Sequence, residues 1–170
     1  MLIEPLVSPV THLTNLDIIV RLVLATALAA LVGIEREYNR KPAGLRTNVM
    51  VGLGSAIFTI ASMRALDIFP ELKTVDPTRI AAQIVSGISF LGIGTILFDK
   101  DRSSVTGLTT AATLWVVAGV GMAVGFGFYV EAITATALVF FTFLVLSKIV
   151  GEVRKRGVSH GPEHHDHKSE

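Results

Sequence analysis

The chain has 170 residues, of which 51% are hydrophobic and 17% charged, and its mean hydropathy is +0.60. This composition is too apolar for an ordinary soluble domain and is typical of a small polytopic membrane protein with one helical domain. The formal net charge of +1 carries no information about partners, and the absence of cysteine excludes disulfides, thiolate metal sites and cysteine nucleophiles.

Residues 1–16 form a lead that contains two prolines and no lysine or arginine. Because a cleaved signal peptide carries a basic first region, we expect the first helix to be retained. Thr14 followed three residues later by Asp17 resembles a capping box. This pattern predicts that helix one runs over about 17–33, and that residues 1–16 lie outside the membrane.

A charged stretch at 33–48, G-I-E-R-E-Y-N-R-K-P-A-G-L-R-T-N, separates helix one from the next apolar run. Its Lys41-Pro42 and Ala43-Gly44 pairs predict a tight turn that a continuous helix cannot cross. Helix two should therefore run over about 45–64 and form a hairpin with helix one.

Three further helices are predicted from the remaining apolar runs. Asp76-Pro77 supplies a cap and a proline at the first helical position of helix three, 78–98. A charged run then precedes helix four, 105–124, and Gly125-Phe126-Gly127 favours a sharp reversal before helix five, 128–150. The predicted fold is an all-α bundle of five transmembrane helices over 17–150, because about 20 apolar residues cross about 30 Å of hydrocarbon.

The distribution of lysine and arginine predicts the orientation, because the cytoplasmic side of a membrane protein carries the excess. The surface with the second connection has Arg64, Lys73 and Arg79, and Arg21 lies just inside it. The opposite surface has ten cations: Arg36, Arg40, Lys41, Arg46, Lys100, Arg102, Lys148, Arg154, Lys155 and Arg156. The N-terminus is therefore predicted outside and the C-terminus in the cytoplasm.

The predicted cytoplasmic tail, 151–170, gathers four histidines with Glu163 and Asp166. Such a set can bind a transition metal weakly, but nothing fixes its geometry, so we expect a disordered tail and no resident metal or cofactor. The sequence has no Ser-His-Asp arrangement, phosphate loop or HExxH motif, and no basic patch for nucleic acid. An enzyme and a nucleic-acid-binding protein are therefore not expected.

Small and polar residues follow one face of several helices. On helix two they are Asn48, Gly52, Ser55, Thr59 and Ser62, and the spacings Gly52-x-x-x-Ala56 and Gly121-x-x-x-Gly125 are typical of helix contacts, within or between protomers. Two interpretations stay open. The faces pack tightly, with interhelical hydrogen bonds of roughly 0.6 kcal/mol each, or they line a passage for an ion or small solute built from Asn48, Ser55, Thr59, Gln83 and Thr110.

Arg21 and the pair of Glu35 and Arg46 also have two interpretations each. Arg21 follows Asp17 by one helical turn, which predicts an ion pair with a snorkelling side chain, while a role in substrate passage is the alternative. Glu35 and Arg46 lie against the dipoles of their own helices, so a cross-hairpin pair would offset both penalties. The alternative is a cytoplasmic anion site at Arg46, Thr47 and Asn48 that Glu35 orients.

The complete candidate site for a ligand or partner combines these positions with polar residues of helices three and four. It contains no proposed catalytic or metal-binding residue. Its members are Glu35, Arg36, Arg46, Thr47, Asn48, Ser55, Thr59, Gln83, Ser86, Thr109, Thr110 and Thr113.

Three ordered segments carry a family resemblance: G-I-E-R-E-x-x-x-K-P-A-G-L-R-T-N at 33–48, A-A-Q-I-V-S-G-I-S-F-L-G-I-G-T-I-L at 81–97 and G-L-T-T-A-A-T-L-W at 107–115. Together they resemble the MgtC/SapB family of bacterial inner-membrane proteins over about 20–150. The resemblance implies a five-helix membrane domain linked to adaptation to low magnesium and to survival inside host cells. Some members are described as inhibitors of the membrane ATP synthase rather than as magnesium transporters. The soluble C-terminal domain of the longer members is expected to be absent here.

The leading functional hypothesis is a non-enzymatic regulator that contacts another inner-membrane complex, such as the ATP synthase. An ion or small-solute passage is the second hypothesis, and an enzyme is the third. Because five short helices enclose little volume, we also expect a homodimer surrounded by membrane lipid.

Overall fold

The computed structural model describes residues 13–69, 76, 79–99 and 104–158, and for residues 66, 67, 99 and 146–158 it describes the backbone alone. Five helices account for most of this part of the chain, which confirms the predicted all-α class. The elements in chain order are α1 (Asn15–Tyr38), α2 (Leu45–Ile68), α3 (Arg79–Ile93), β1 (Leu97–Asp99), β2 (Ser104–Thr106), α4 (Leu108–Phe126) and α5 (Tyr129–Val158).

Helix α1 begins at the predicted capping box and ends later than predicted. The backbone N of Asp17 donates to Thr14 Oγ1 at 3.2 Å, and the backbone N of Thr14 donates to Asp17 Oδ2 at 3.1 Å. The prediction that the helix ends at Gly33 is wrong, because it continues to Tyr38. Glutamate and arginine are good helix formers, so the charged residues after Gly33 extend the helix rather than break it. Arg40, with φ of 51°, then closes the turn.

The other helix boundaries follow local turn chemistry. Helix α2 begins at Leu45 as predicted and continues past Arg64 to Ile68. Helix α4 lies between two glycines with left-handed backbone conformations, Gly107 at φ 89° and Gly127 at φ 90°, so the predicted reversal after α4 is confirmed. Helix α5 continues to Val158, past the predicted end at 150, and the histidines of the predicted tail lie outside the described residues.

A β-hairpin replaces the predicted end of helix three and the predicted start of helix four. Strands β1 and β2 are antiparallel, with Leu97 opposite Thr106 and Phe98 opposite Val105. Helix α3 ends at Ile93, and the following turn places the Thr95 carbonyl oxygen where a Cβ on Gly107 would collide with it. A short apolar run such as 96–98 fits a strand as well as a helix, so periodicity alone did not distinguish them.

Three of the described helical segments are long and apolar enough to cross a membrane: Asn15–Tyr38, Leu45–Ala65 and Leu108–Phe126. Two shorter apolar segments, Arg79–Ile93 and Tyr129–Val145, correspond to the other two predicted spans. The fold is therefore that of a helical membrane protein. The predicted orientation stays a prediction.

The chain divides into two units, Met1–Ala137 and Leu138–Glu170. In the first unit α2 packs extensively against both α1 and α4, while α3 packs mainly on α4. One buried cluster joins α1, α2, α4 and the start of α5 through Ala25, Leu28, Ala56, Val120, Val124 and Ala132. A second cluster joins the α1–α2 turn to α3 and α4 through Ala43, Ile88, Leu114 and Ala118. In the second unit the described residues belong to the remainder of α5.

Candidate functional site

Helices α2 and α4 touch through their backbones. A Cβ placed on Gly121 would collide with the Gly52 carbonyl oxygen, and one on Gly125 would lie 2.7 Å from Thr59 Cβ. A Cβ on Gly52 would also lie 2.6 Å from Ala29 Cβ of α1. The two predicted small-residue motifs, Gly52-x-x-x-Ala56 and Gly121-x-x-x-Gly125, therefore contact each other within one chain. They bring α1, α2 and α4 into close contact.

The polar face of α2 is buried in this contact. Asn48, Ser55, Thr59 and Ser62 are each at most 8% exposed. Thr59 Oγ1 donates to the Ser55 carbonyl oxygen of its own helix at 2.8 Å. A hydroxyl that bonds its own helix is satisfied without a ligand, so this face fits the tight-packing interpretation.

The predicted residues of α3 and α4 do not all join this buried face. Thr110 and Thr113 are buried on α4, and Thr113 Oγ1 donates to the Thr109 carbonyl oxygen at 2.7 Å. Thr109 itself is exposed, as are Gln83 and Ser86 on α3. The candidate residues of these helices thus fall into a buried group on α2 and α4 and an exposed group on α3 and at the start of α4.

The charged groups of the α1–α2 turn pair differently from the prediction. The Glu35 carboxylate accepts hydrogen bonds from Arg36 Nε and, at 2.6 Å, from Asn39 Nδ2. The predicted pair between Glu35 and Arg46 is therefore wrong, because Glu35 binds neighbours on its own helix. Arg46 and Thr47 are exposed, whereas Arg36 is 5% exposed.

Glu37, which the sequence did not single out, connects the two helices of the turn. Its Oε2 accepts a hydrogen bond of 3.0 Å from the backbone N of Leu45, the first residue of α2. The N-cap residue Gly44 has no side chain, so Glu37 supplies the capping acceptor and a negative charge near the positive end of the α2 dipole. This function depends on the extension of α1 beyond Gly33, which no sequence signal indicated.

Asn48 closes the turn from inside the bundle. Its Nδ2 donates to the carbonyl oxygens of Ala43 at 3.0 Å and Gly44 at 2.8 Å. Its side chain is fully buried, and Oδ1 has no hydrogen-bond donor among the described residues. Beside it, a Cβ on Gly33 would lie 2.8 Å from Leu45 Cα. The amide of Asn48 therefore fixes the turn and leaves one buried acceptor open.

Arg21 reaches across the bundle rather than to Asp17. It is 7% exposed, and its Nη1 donates to the Gly125 carbonyl oxygen at 2.7 Å. Its guanidinium carbon lies 5.9 Å from the centroid of the Tyr129 ring, within cation–π range. The Asp17 carboxylate is bound by Thr14. The predicted ion pair between Asp17 and Arg21 is wrong, because the Arg21 side chain contacts Gly125 of α4 and Tyr129 of α5 instead.

A groove of about 550 Å³ lies between α2 and α3, whose mutual contact is small. We call it the α2–α3 groove. Three residues of the candidate site line it, namely Thr47 and Ser55 of α2 and Gln83 of α3. The groove therefore brings together some of the predicted polar residues of two helices. The rest of its lining is apolar. It consists of Met50, Val51, Gly54 and Phe58 on α2 and of Ile80, Ile84, Gly87, Ile88 and Leu91 on α3. No group of three His, Asp or Glu side chains in the described part of the chain could hold a metal.

Comparison with known proteins identifies the family, because residues 22–151 match the model of the MgtC family. The chain belongs to the MgtC family. It is 43% identical over 132 residues to the putative magnesium transporter YhiD of Escherichia coli, with 76% of this chain and 59% of that protein covered. It is 41% identical over 141 residues to protein MgtC of Salmonella choleraesuis, with coverage of 83% and 57%. Protein SapB of Bacillus subtilis is 38% identical over 139 residues, with coverage of 81% and 60%.

The matched region thus spans less than two thirds of each of these MgtC-family relatives. No solved structure matches the chain. The family match covers α2, α3 and α4 completely and α1 from Leu22 onward, together with both buried clusters and the α2–α3 groove. The α1–α2 turn, the contact between α2 and α4 and the α2–α3 groove therefore lie in the matched region, whereas Arg21 and the Thr14 cap precede it.

Proposed function

We propose that this MgtC-family chain is a non-enzymatic regulator in the bacterial inner membrane that acts during magnesium limitation and in virulence. The link to magnesium is supported by the name of the Escherichia coli relative. A regulatory function through helix contacts is supported by the way in which the polar side chains of the bundle are used.

The observation that carries the proposal is the contact between Gly52 and Gly121. A passage along the polar face of α2 needs space between α2 and α4, and here the two backbones are too close for even one added methyl group. The hydroxyls of Thr59 and Thr113 bind carbonyl oxygens of their own helices. The buried polar groups thus stabilise the bundle, and the outer helix faces are left for a partner.

The partner that we propose is another inner-membrane complex, with the ATP synthase as the first candidate, and the chain itself is proposed to act as a homodimer. Large apolar side chains on the outer faces suit such contacts inside a membrane, among them Phe90 at 82% exposed on α3 and Ile133 at 51% on α5.

Site-specific photo-crosslinking tests this partner. A photoreactive amino acid is placed at Phe90 or Ile133 in cells grown at low magnesium, with the fully buried Val117 as the matched control position. Products are purified in mild detergent and identified by mass spectrometry. The proposal expects a crosslink to a subunit of another membrane complex from the exposed positions only. Recovery of nothing but self-crosslinks from both positions contradicts it.

A passage for an ion or small solute is the second candidate function. It is favoured by one observation, the buried Asn48 Oδ1, which has no hydrogen-bond donor in the described part of the chain. Such an acceptor is of the kind that contacts a cation or a water molecule. Proteoliposomes that contain the purified chain are assayed for flux of magnesium, sodium and protons. A flux equal to that of empty vesicles rejects the passage. A flux that Asn48→Ala abolishes, with the protein still folded, supports it over the regulator.

A further inference from the structure

The α2–α3 groove has space that the protein itself does not fill. A Cβ placed on Gly54 of α2 or on Gly87 of α3 would meet nothing within 4 Å. Apart from Thr47, Ser55 and Gln83, the lining side chains are apolar. Because no water is available in the hydrocarbon core to fill such a space, an apolar occupant is required.

The length of the groove indicates what kind of occupant fits. Its α2 wall extends from Thr47 to Phe58, eleven residues apart, which corresponds to about 16 Å at 1.5 Å per residue. This is about half of the roughly 30 Å hydrocarbon thickness. A transmembrane helix of a partner is about twice as long as the groove. An acyl chain from one leaflet matches the groove.

The end of the groove at Thr47 is positively charged. Arg46 lies one turn before the lining residue Met50, and therefore on the same face of α2. Arg46, Arg40 and Lys41 are all exposed, and the structure shows no ion pair for any of the three with another described residue. An exposed cation next to a lipid-facing groove favours a negatively charged headgroup.

We propose that the α2–α3 groove binds one acyl chain of an anionic diacyl phospholipid from the leaflet at the α1–α2 turn. Arg46 contacts the lipid phosphate, and Arg40 and Lys41 add to the positive potential around it. Thr47 lies between the cations and the apolar wall, where its hydroxyl can donate to the phosphate or ester oxygens. This site does not depend on the regulatory function proposed above.

Native mass spectrometry of the full chain in mild detergent tests the site, with phosphatidylglycerol and phosphatidylcholine as probes. Wild type is expected to retain one phosphatidylglycerol in preference to phosphatidylcholine. Arg46→Gln should reduce that preference about fivefold, because a cation near the membrane surface contributes about 1 kcal/mol to binding an anionic lipid. Glycerol phosphate, which lacks the acyl chains, should not compete.

A second experiment fills the α2–α3 groove with a side chain. Gly87→Leu places a side chain in the open space, and Gly54→Leu does the same from the opposite wall, so that one variant remains if the other does not fold. Gly119→Leu on α4 is the matched control, since a Cβ there also meets nothing within 4 Å. Gly87→Leu or Gly54→Leu should lose the retained lipid, and Gly119→Leu should keep it.

Three results would overturn the proposal. One is retention of phosphatidylglycerol in a folded groove-filling variant, and another is equal loss in Gly119→Leu, which would indicate general annular lipid. The third is a shift from dimer to monomer in the groove-filling variants without a change in bound lipid, which would make a second copy of this chain the occupant.

Discussion

Glu37 Oε2 accepts a hydrogen bond from the backbone N of Leu45, so that the last turn of α1 caps the first turn of α2. Replacement of Glu37 by alanine should lower the free energy of unfolding by about 1 kcal/mol, the usual cost of a lost N-cap. Glu37→Gln keeps an acceptor oxygen without the charge, so its free energy of unfolding should lie between those of wild type and Glu37→Ala. Denaturant titration in mixed micelles measures the difference. Lys41→Ala, on the same turn and exposed, is the control, and equal stability of Glu37→Ala and Lys41→Ala contradicts the prediction.

The backbone contact between α2 and α4 predicts that alanine substitution at two glycines of α4 has different effects on stability. Gly121→Ala should destabilise the bundle by about 1–3 kcal/mol, because the methyl group must displace the Gly52 carbonyl. Gly119→Ala should be neutral or stabilising by up to about 1 kcal/mol, since its methyl group has free space and alanine favours helix. The thermal unfolding midpoint in detergent compares the two proteins. Similar midpoints for both variants would show that α2 and α4 are not in backbone contact.

The two hydrogen bonds of Asn48 predict that a negative charge at this position costs more stability than loss of the side chain. Asn48→Asp places a carboxylate where the amide donated to two carbonyl oxygens, which converts two attractions into repulsions in a buried site. It should destabilise the protein more than Asn48→Ala, which costs about 1–3 kcal/mol, mainly because the Ala43 carbonyl loses this donor. The Gly44 carbonyl keeps the hydrogen bond from the backbone N of residue 48. Asn15→Asp, in the exposed first turn of α1, is the control and should cause little change. If Asn48→Asp is as stable as Asn48→Ala, the amide does not fix the turn.

Arg21 should stabilise the packing of α1 against the turn that connects α4 and α5. Arg21→Ala removes the hydrogen bond to Gly125 and the contact with Tyr129, and it should lower the free energy of unfolding by about 1–3 kcal/mol. Arg21→Lys keeps a cationic donor and should recover part of this loss. Unfolding in mixed micelles is again the measurement, with exposed Glu131→Gln as the control. An Arg21→Ala protein as stable as Glu131→Gln would remove the structural explanation for this buried cation.

The parts of the fold that were predictable have short, local causes. The Thr14 capping box, the turn before Leu45 and the Gly127 reversal each lie within a few residues of the boundary that they determine. Helical spacing alone predicted that Asn48, Ser55 and Thr59 share one face of α2, and the structure shows that this face is buried. The hairpin was missed because a three-residue strand has too few residues for its period to be recognised.

The pairing of charges was not predictable, for a different reason. Several partners lie within reach of each ionised group, and the backbone path decides among them. The extension of α1 by one turn gives the α2 cap to Glu37 and leaves Glu35 with Arg36. In the same way, the distance from Arg21 to Gly125 depends on how α1 packs on α4, a contact between residues far apart in sequence.

The burial of Ala43 has a consequence for the biogenesis of the protein. Ala43 lies in the α1–α2 turn, yet it forms one buried cluster with Ile88, Leu114 and Ala118, which belong to helices that the ribosome makes later. A nascent chain that contains only α1 and α2 therefore lacks the other three members of this cluster. The turn reaches its final packing only after α4 has entered the membrane, so the earliest connection to be synthesised is among the last to be completed.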